Sequence, residues 1–198
     1  MTPFLARSLA VGMLALGVAW SALGADQPDP AELARQKAQA AVLKLADSLD
    51  DAMTVSQAQA IVKEHSAENI SSIFKMKARG GPGIGKLMEA GFPDGIDRFI
   101  NILSRRKILT ENELERFQPE YLRVARIFQA MAELAPFRAT ERVKSDSKRT
   151  LDWANISADF KKKSADFRLA VEEKDPKKVR LTALNLSHTC CDCHGYLD

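Results

Sequence analysis

An all-α fold, most simply a helical bundle, is predicted by three features of this 198-residue chain. Apolar residues recur at spacings of three and four from about residue 30 to residue 190, the period of one helix face. Helix-start signals, an N-cap residue followed by proline or an acidic side chain, open one segment after another. No stretch alternates convincingly between apolar and polar, as a half-buried strand would. The composition, 45% hydrophobic and 28% charged, is that of a globular chain, and the length suits one domain or at most two. A formal charge of +3 is too small to argue for nucleic acid, and the Lys and Arg residues are scattered. Lys161-Lys162-Lys163 forms a run, but within a helical pattern it reads as a solvated face.

Residues 1–25 read as a signal peptide. Arg7 supplies a positive n-region, Leu9 to Leu23 is apolar and uncharged, and the small residues Ala22, Gly24 and Ala25 precede Asp26. Cleavage after Gly24 or Ala25 would leave 26–198 as one helical domain, exported to the periplasm and without a membrane span. An uncleaved anchor is the competing reading, since Ser8 to Ala25 just reaches spanning length.

From Asp29 the helices follow in order. Asp29-Pro30-Ala31-Glu32 predicts an N-cap, a proline at the first position and a capping box. Ala38, Val42, Leu45 and Leu49 carry that helix over about 30–50. Thr54-Val55-Ser56-Gln57 predicts a second capping box, and Ala58, Ile61, Val62, Ile70, Ile73 and Phe74 extend its helix to about Ala78, with a break at Ser66 if that residue caps. Gly80-Gly81-Pro82-Gly83-Ile84-Gly85-Lys86 matches part of a phosphate-binding loop as a string. It fails the context test, because Leu87 replaces the magnesium-binding hydroxyl and a helix, not a strand, precedes it. A tight turn beside a cofactor is the expectation instead. Asp94 is expected to cap a short helix to about Arg105. Thr110-Glu111-Asn112-Glu113 opens a helix through Leu114, Phe117, Tyr121, Val124, Phe128 and Met131, with a kink or restart at Pro119 and an end at Pro136. After a charged connection, Arg138 to Arg149, Trp153, Ile156, Phe160, Phe167 and Val171 predict a helix over about 145–174. Asp175-Pro176 then starts the last one, whose stripe runs Val179, Ala183, Leu186, Cys190.

That stripe ends in Cys190-x-x-Cys193-His194, the spacing of covalent c-type haem attachment. On a helix, residues three apart share a face, so both thiols can reach the two vinyl groups of one porphyrin, and the histidine behind them can ligate the iron. Three readings compete. They are a redox dithiol, a zinc site from Cys190, Cys191, Cys193 and His194, and a structural disulfide Cys190–Cys193. The export signal agrees with the haem reading, because c-type haem is attached outside the cytoplasm.

Trp153, Phe160, Ala170, Asp175, Val179, Cys190-x-x-Cys193-His194 and Tyr196 together resemble the last two helices of the cytochrome c′ (class II c-type cytochrome) family, over about 145–198. The resemblance implies a four-helix bundle with one covalent haem c, thioethers from Cys190 and Cys193, and His194 as axial ligand. Against that family the chain carries an extra N-terminal helix and an inserted Gly80–Arg105 region.

The distal side stays open. An apolar open site would admit NO or CO, whereas a sixth ligand favours electron transfer. The candidates are Met53, Met76, Met88, Met131, His65 and His188, and Met76, one turn beyond Ile73, leads among them. Cys191 turns about 100° from Cys190; it is either a free thiol or the link of a homodimer. No catalytic acid–base constellation is visible. The expectation is a periplasmic monohaem electron carrier with a redox partner protein, or a protein that binds or senses a gas.

Overall fold

The computed structural model describes residues 29–49 and 54–197, the side chains of His194 and Leu197 excepted. Its helices are α1 (Pro30–Asp47), α2 (Thr54–Glu64), α3 (Ala67–Ser71), α4 (Ile96–Arg105), α5 (Glu111–Arg116), α6 (Gln118–Leu134), α7 (Glu141–Lys144), α8 (Ser147–Glu172) and α9 (Pro176–Leu197). Short 3₁₀ turns join several of them, and no strand occurs among the described residues. The all-α prediction holds. The signal segment 1–25 and Met53 lie outside the described residues.

Three long helices make the spine. α8 packs against α9 on one side and α6 on the other. α6 and α8 run antiparallel, as two hydrogen bonds at opposite ends show. The Trp153 indole donates to the Ala135 carbonyl at 3.2 Å, and the Gln118 amide donates to the Val171 carbonyl at 3.2 Å. α1 packs against α6, and α4 against α9. Phe99 on α4 also meets Tyr121 on α6, with ring centroids 5.4 Å apart. The Arg180 guanidinium donates to the Lys107 carbonyl at 3.0 Å, pinning the chain after α4 to the start of α9. The stretch expected as an insertion therefore supplies a core helix.

The core follows the stripes read from the sequence. Val42 and Leu45 of α1, Val124 and Phe128 of α6, Phe167 and Val171 of α8, and Val179, Ala183 and Leu186 of α9 are all buried in one cluster. Burying a Val, Leu or Phe side chain stabilises the fold by about 1.5–3 kcal/mol. Ser157 and Ser164 are buried among the aromatic residues of α8, where small side chains let a neighbouring helix approach.

Several start signals act differently from their reading. Asp29 accepts from the Ala31 amide at 3.0 Å, but Glu32 turns to Arg35 and Gln36 rather than closing a capping box. Thr54 is already helical, and its hydroxyl donates back to the Leu49 carbonyl at 3.4 Å. The helix expected to run to Ala78 stops at Glu64, because Ser66 caps α3 by accepting from the Asn69 amide at 3.2 Å. Asp94 does not cap α4. Its carboxylate accepts from the Lys77 amide at 2.6 Å and the Ile84 amide at 3.3 Å, folding the glycine-rich turn onto itself. Gly95, at φ +102°, stands at the N-cap instead. Pro119 restarts the chain in the first turn of α6, as expected.

The α8–α9 junction is as predicted at its second half, where Asp175 accepts from the Lys177 and Lys178 amides at 2.9 and 3.1 Å. Before it, α8 ends in a left-handed residue, Lys174 at φ +56°, with Asp175 N–H bonded to Ala170 and Lys174 N–H to Val171. Glycine normally fills that place at no steric cost, whereas a side chain there costs about 1 kcal/mol. Lys174→Gly should therefore raise stability by about 0.5–1 kcal/mol, a Tm gain of roughly 1–4 °C. The lost Lys174–Glu115 contact is half-exposed and worth little. A thermal melt that does not rise would contradict the strain argument.

Candidate functional site

α9 brings the motif to the end of the bundle. Val179, Ala183 and Leu186 are buried, and Cys190 continues the same stripe against the core. Cys190 and Cys193, one turn apart, line one cavity of about 130 Å³ that opens at the surface. Trp153 and Phe160 of α8, Met131 and Leu134 of α6, and Ile70 and Phe74 from the α3 region complete most of its wall. The wall is apolar and aromatic, as a binding pocket for a large flat apolar group must be.

Local contacts fix these side chains. The Trp153–Ala135 hydrogen bond sets the indole. Phe74 stacks on Phe128 at 5.2 Å, and Phe128 meets Phe167 edge-on at 6.5 Å, so the α3 region is tied through α6 to α8. Thr189, buried beside Cys190, lies 3.2 Å from the Asn185 carbonyl and 3.3 Å from Asp159, which pairs with Lys163 at 2.7 Å. At the last turn, the Tyr196 hydroxyl lies 3.0 Å from Asp152 and 3.3 Å from the Arg149 carbonyl, fastening the end of α9 to the start of α8. His194, the predicted axial ligand, follows Cys193 in the same helix, with its side chain outside the described residues.

The electrostatics separate the competing readings of the thiols. Burial pushes the Cys190 thiol up to about 12, and the neighbouring Cys193 and Cys191 add to that. Burial also raises Cys193, against the opposing Arg138 guanidinium. A working redox dithiol needs the reverse, a thiolate made stable at neutral pH. Both thiols here stay neutral, and all three cysteines are unpaired. Cys191 faces outward and is exposed, so the three sulfurs do not converge on one point. Among the described residues no three His, Cys, Asp or Glu side chains form a metal-binding group.

The distal candidates divide by place. Met131 lines the cavity. Met76 is half-buried at the head of the 3₁₀ turn Lys77–Arg79 and does not line it; Met88 and His188 are exposed, and His65 is half-buried at the end of α2, also away from the lining. The glycine-rich turn, expected beside a cofactor, contributes no lining residue. One lining residue carries a charge and was not singled out in the sequence, Arg138, half-buried in the 3₁₀ turn Ala135–Arg138. Burial lowers its pKa, partly offset by Cys193. Its only sequence signal is membership of a charged connection. No helix among the described residues is long and apolar enough to cross a membrane. No family model, curated protein or solved structure matches the chain.

Proposed function

We propose that the chain is a periplasmic monohaem c-type cytochrome that carries single electrons. Cys190 and Cys193 would hold the haem covalently and His194 would ligate its iron. One observation carries the reading. The two thiols of a Cys-x-x-Cys-His motif open into the same apolar, aromatic-walled cavity, while the neighbouring third thiol faces away.

The residues fit the group in chemistry. Two neutral thiols one turn apart suit thioether formation, and Trp153, Phe160 and Phe74 offer flat apolar surface to a macrocycle. The cavity, about 130 Å³ and open at the surface, has walls that differ in rigidity. Two of those walls are short 3₁₀ turns, Ser72–Phe74 and Ala135–Arg138, which have fewer backbone bonds to break than the long helices. Bound haem supplies a one-electron iron couple. The protein's part is attachment, exclusion of water and electrostatic tuning. The reading assigns no catalytic group, and its partner is a second redox protein.

A second reading, binding of a diatomic gas, is favoured by the composition of the wall. Among the described lining residues Met131 alone offers a base that iron could bind, so a distal side without Met131 ligation would be open. One experiment addresses both. The chain, expressed with its leader beside a haem-attachment system, should show a Soret band whose haem stays with the polypeptide after denaturation. A reduced spectrum unchanged by CO indicates a filled sixth position and electron transfer. A CO-shifted spectrum moves the function to gas binding. Absence of covalent haem sinks both.

A further inference from the structure

We infer that Arg138 anchors a carboxylate of the bound cofactor, a haem propionate, at the rim of the cavity; this rests on the haem reading above. Haem is an apolar macrocycle carrying two anionic carboxylates. A cavity fitted to it needs apolar walls and a cation where the carboxylates emerge. The wall here is apolar apart from Ser71, Thr189, the two thiols and Arg138.

Arg138 is unusual among its neighbours. Lys144 pairs with Glu141 at 2.8 Å, Arg149 with Asp146 at 4.0 Å and Lys148 with Asp152 at 4.0 Å. Those pairs sit on the solvent side of α7 and the start of α8. Arg138, half-buried and against the cavity, has no carboxylate within ion-pair distance among the described residues. A partly desolvated charge with no partner among the described residues is costly, and an anionic group on a ligand in the cavity would offset that cost. The guanidinium fork is the side chain that matches a carboxylate with two parallel hydrogen bonds. Arg138 is held where it is by the Ala135–Arg138 turn, which the Trp153 indole fixes through the Ala135 carbonyl. The anchor therefore belongs to the same rigid corner as the aromatic wall.

A cation beside the cofactor favours the reduced, less positive iron. In R138Q the ratio of reduced to oxidised protein at a fixed potential should fall about tenfold, a midpoint lower by about 59 mV for a one-electron couple. The propionate bending band in the resonance Raman spectrum should also be displaced. R138K keeps the charge and loses the fork, so its midpoint should stay near wild type while the band still moves. Haem-loaded R138Q with an unchanged midpoint and band would overturn the anchor and leave the haem reading standing. Wild-type protein without covalent haem would overturn both. Should R138Q fail to accumulate, the band of R138K decides, and an undisplaced band there overturns the anchor.

Discussion

Gly81→Ala should destabilise the protein by about 3 kcal/mol, lowering Tm on the order of 10 °C. A Cβ on Gly81 would lie inside the van der Waals radius of the Lys75 carbonyl, a backbone group that cannot swing aside. That turn is fastened from several sides. Gly81 N–H donates to the Met76 carbonyl at 2.9 Å, and Lys77 N–H to Asp94 at 2.6 Å. The Gln39 amide of α1, itself buried, donates to the Gly80 carbonyl at 2.6 Å and the Ser72 hydroxyl at 2.8 Å. Relieving the clash opens the turn and leaves some of these buried partners unmade. Gly91→Ala is the control. Its φ is +82° but nothing lies within 4 Å of the added carbon, so the cost is conformational, about 1 kcal/mol. Because the glycine-rich turn does not line the cavity, Gly81→Ala protein that survives should carry as much haem as wild type. Equal melting temperatures for the two variants would refute the packing described at Gly81.

The contrast between Asp175 and Asp94 shows what the sequence could and could not reveal. Asp175 caps α9 as expected because an N-cap bonds amides two and three residues away, and such chemistry is written locally. Asp94 has the same local credentials, yet it bonds amides 17 and 10 residues back. Only the folded turn brings those donors to it. The helix from Thr54 likewise stops at Glu64 because Ser66 and Ser72 find partners, one of them Gln39 in a different helix. At the site, the Val179–Cys190 stripe was legible since a helical period tells which residues face inward. It does not tell which end of a bundle they reach. Met76 and Met131 both sit on apolar stripes, but Met131 lies at the end of α6 that meets the cysteines. Arg138 was illegible for a related reason. Its distinction is that no carboxylate among the described residues lies within ion-pair distance, and that is a property of the assembled fold.

Exported protein should present one thiol to an alkylating reagent under denaturing conditions, and its mass should exceed the bare chain's by one haem. The remaining thiol would be Cys191, which is exposed and cannot share the cavity with Cys190 and Cys193. The same chain made without residues 1–25, in a compartment lacking haem attachment, should instead carry three thiols with separable rates. Cys191 should react first. Cys190 should react slowly at pH 8, since a thiol pushed up to about 12 is thiolate only on the order of 10⁻⁴ of the time there. Its rate should climb about tenfold per pH unit up to pH 10 or so, following the thiolate fraction. Burial is the main cause of that shift, so denaturant should abolish the difference between the two residues. Substitutions then divide attachment from ligation. Cys190→Ala or Cys193→Ala leaves one sulfur in the cavity and should lose most of the covalent haem. His194→Ala keeps both sulfurs and should retain haem with a displaced Soret band. Three alkylatable thiols in the exported wild type, with no added mass, would refute haem attachment and leave the cavity to another apolar ligand.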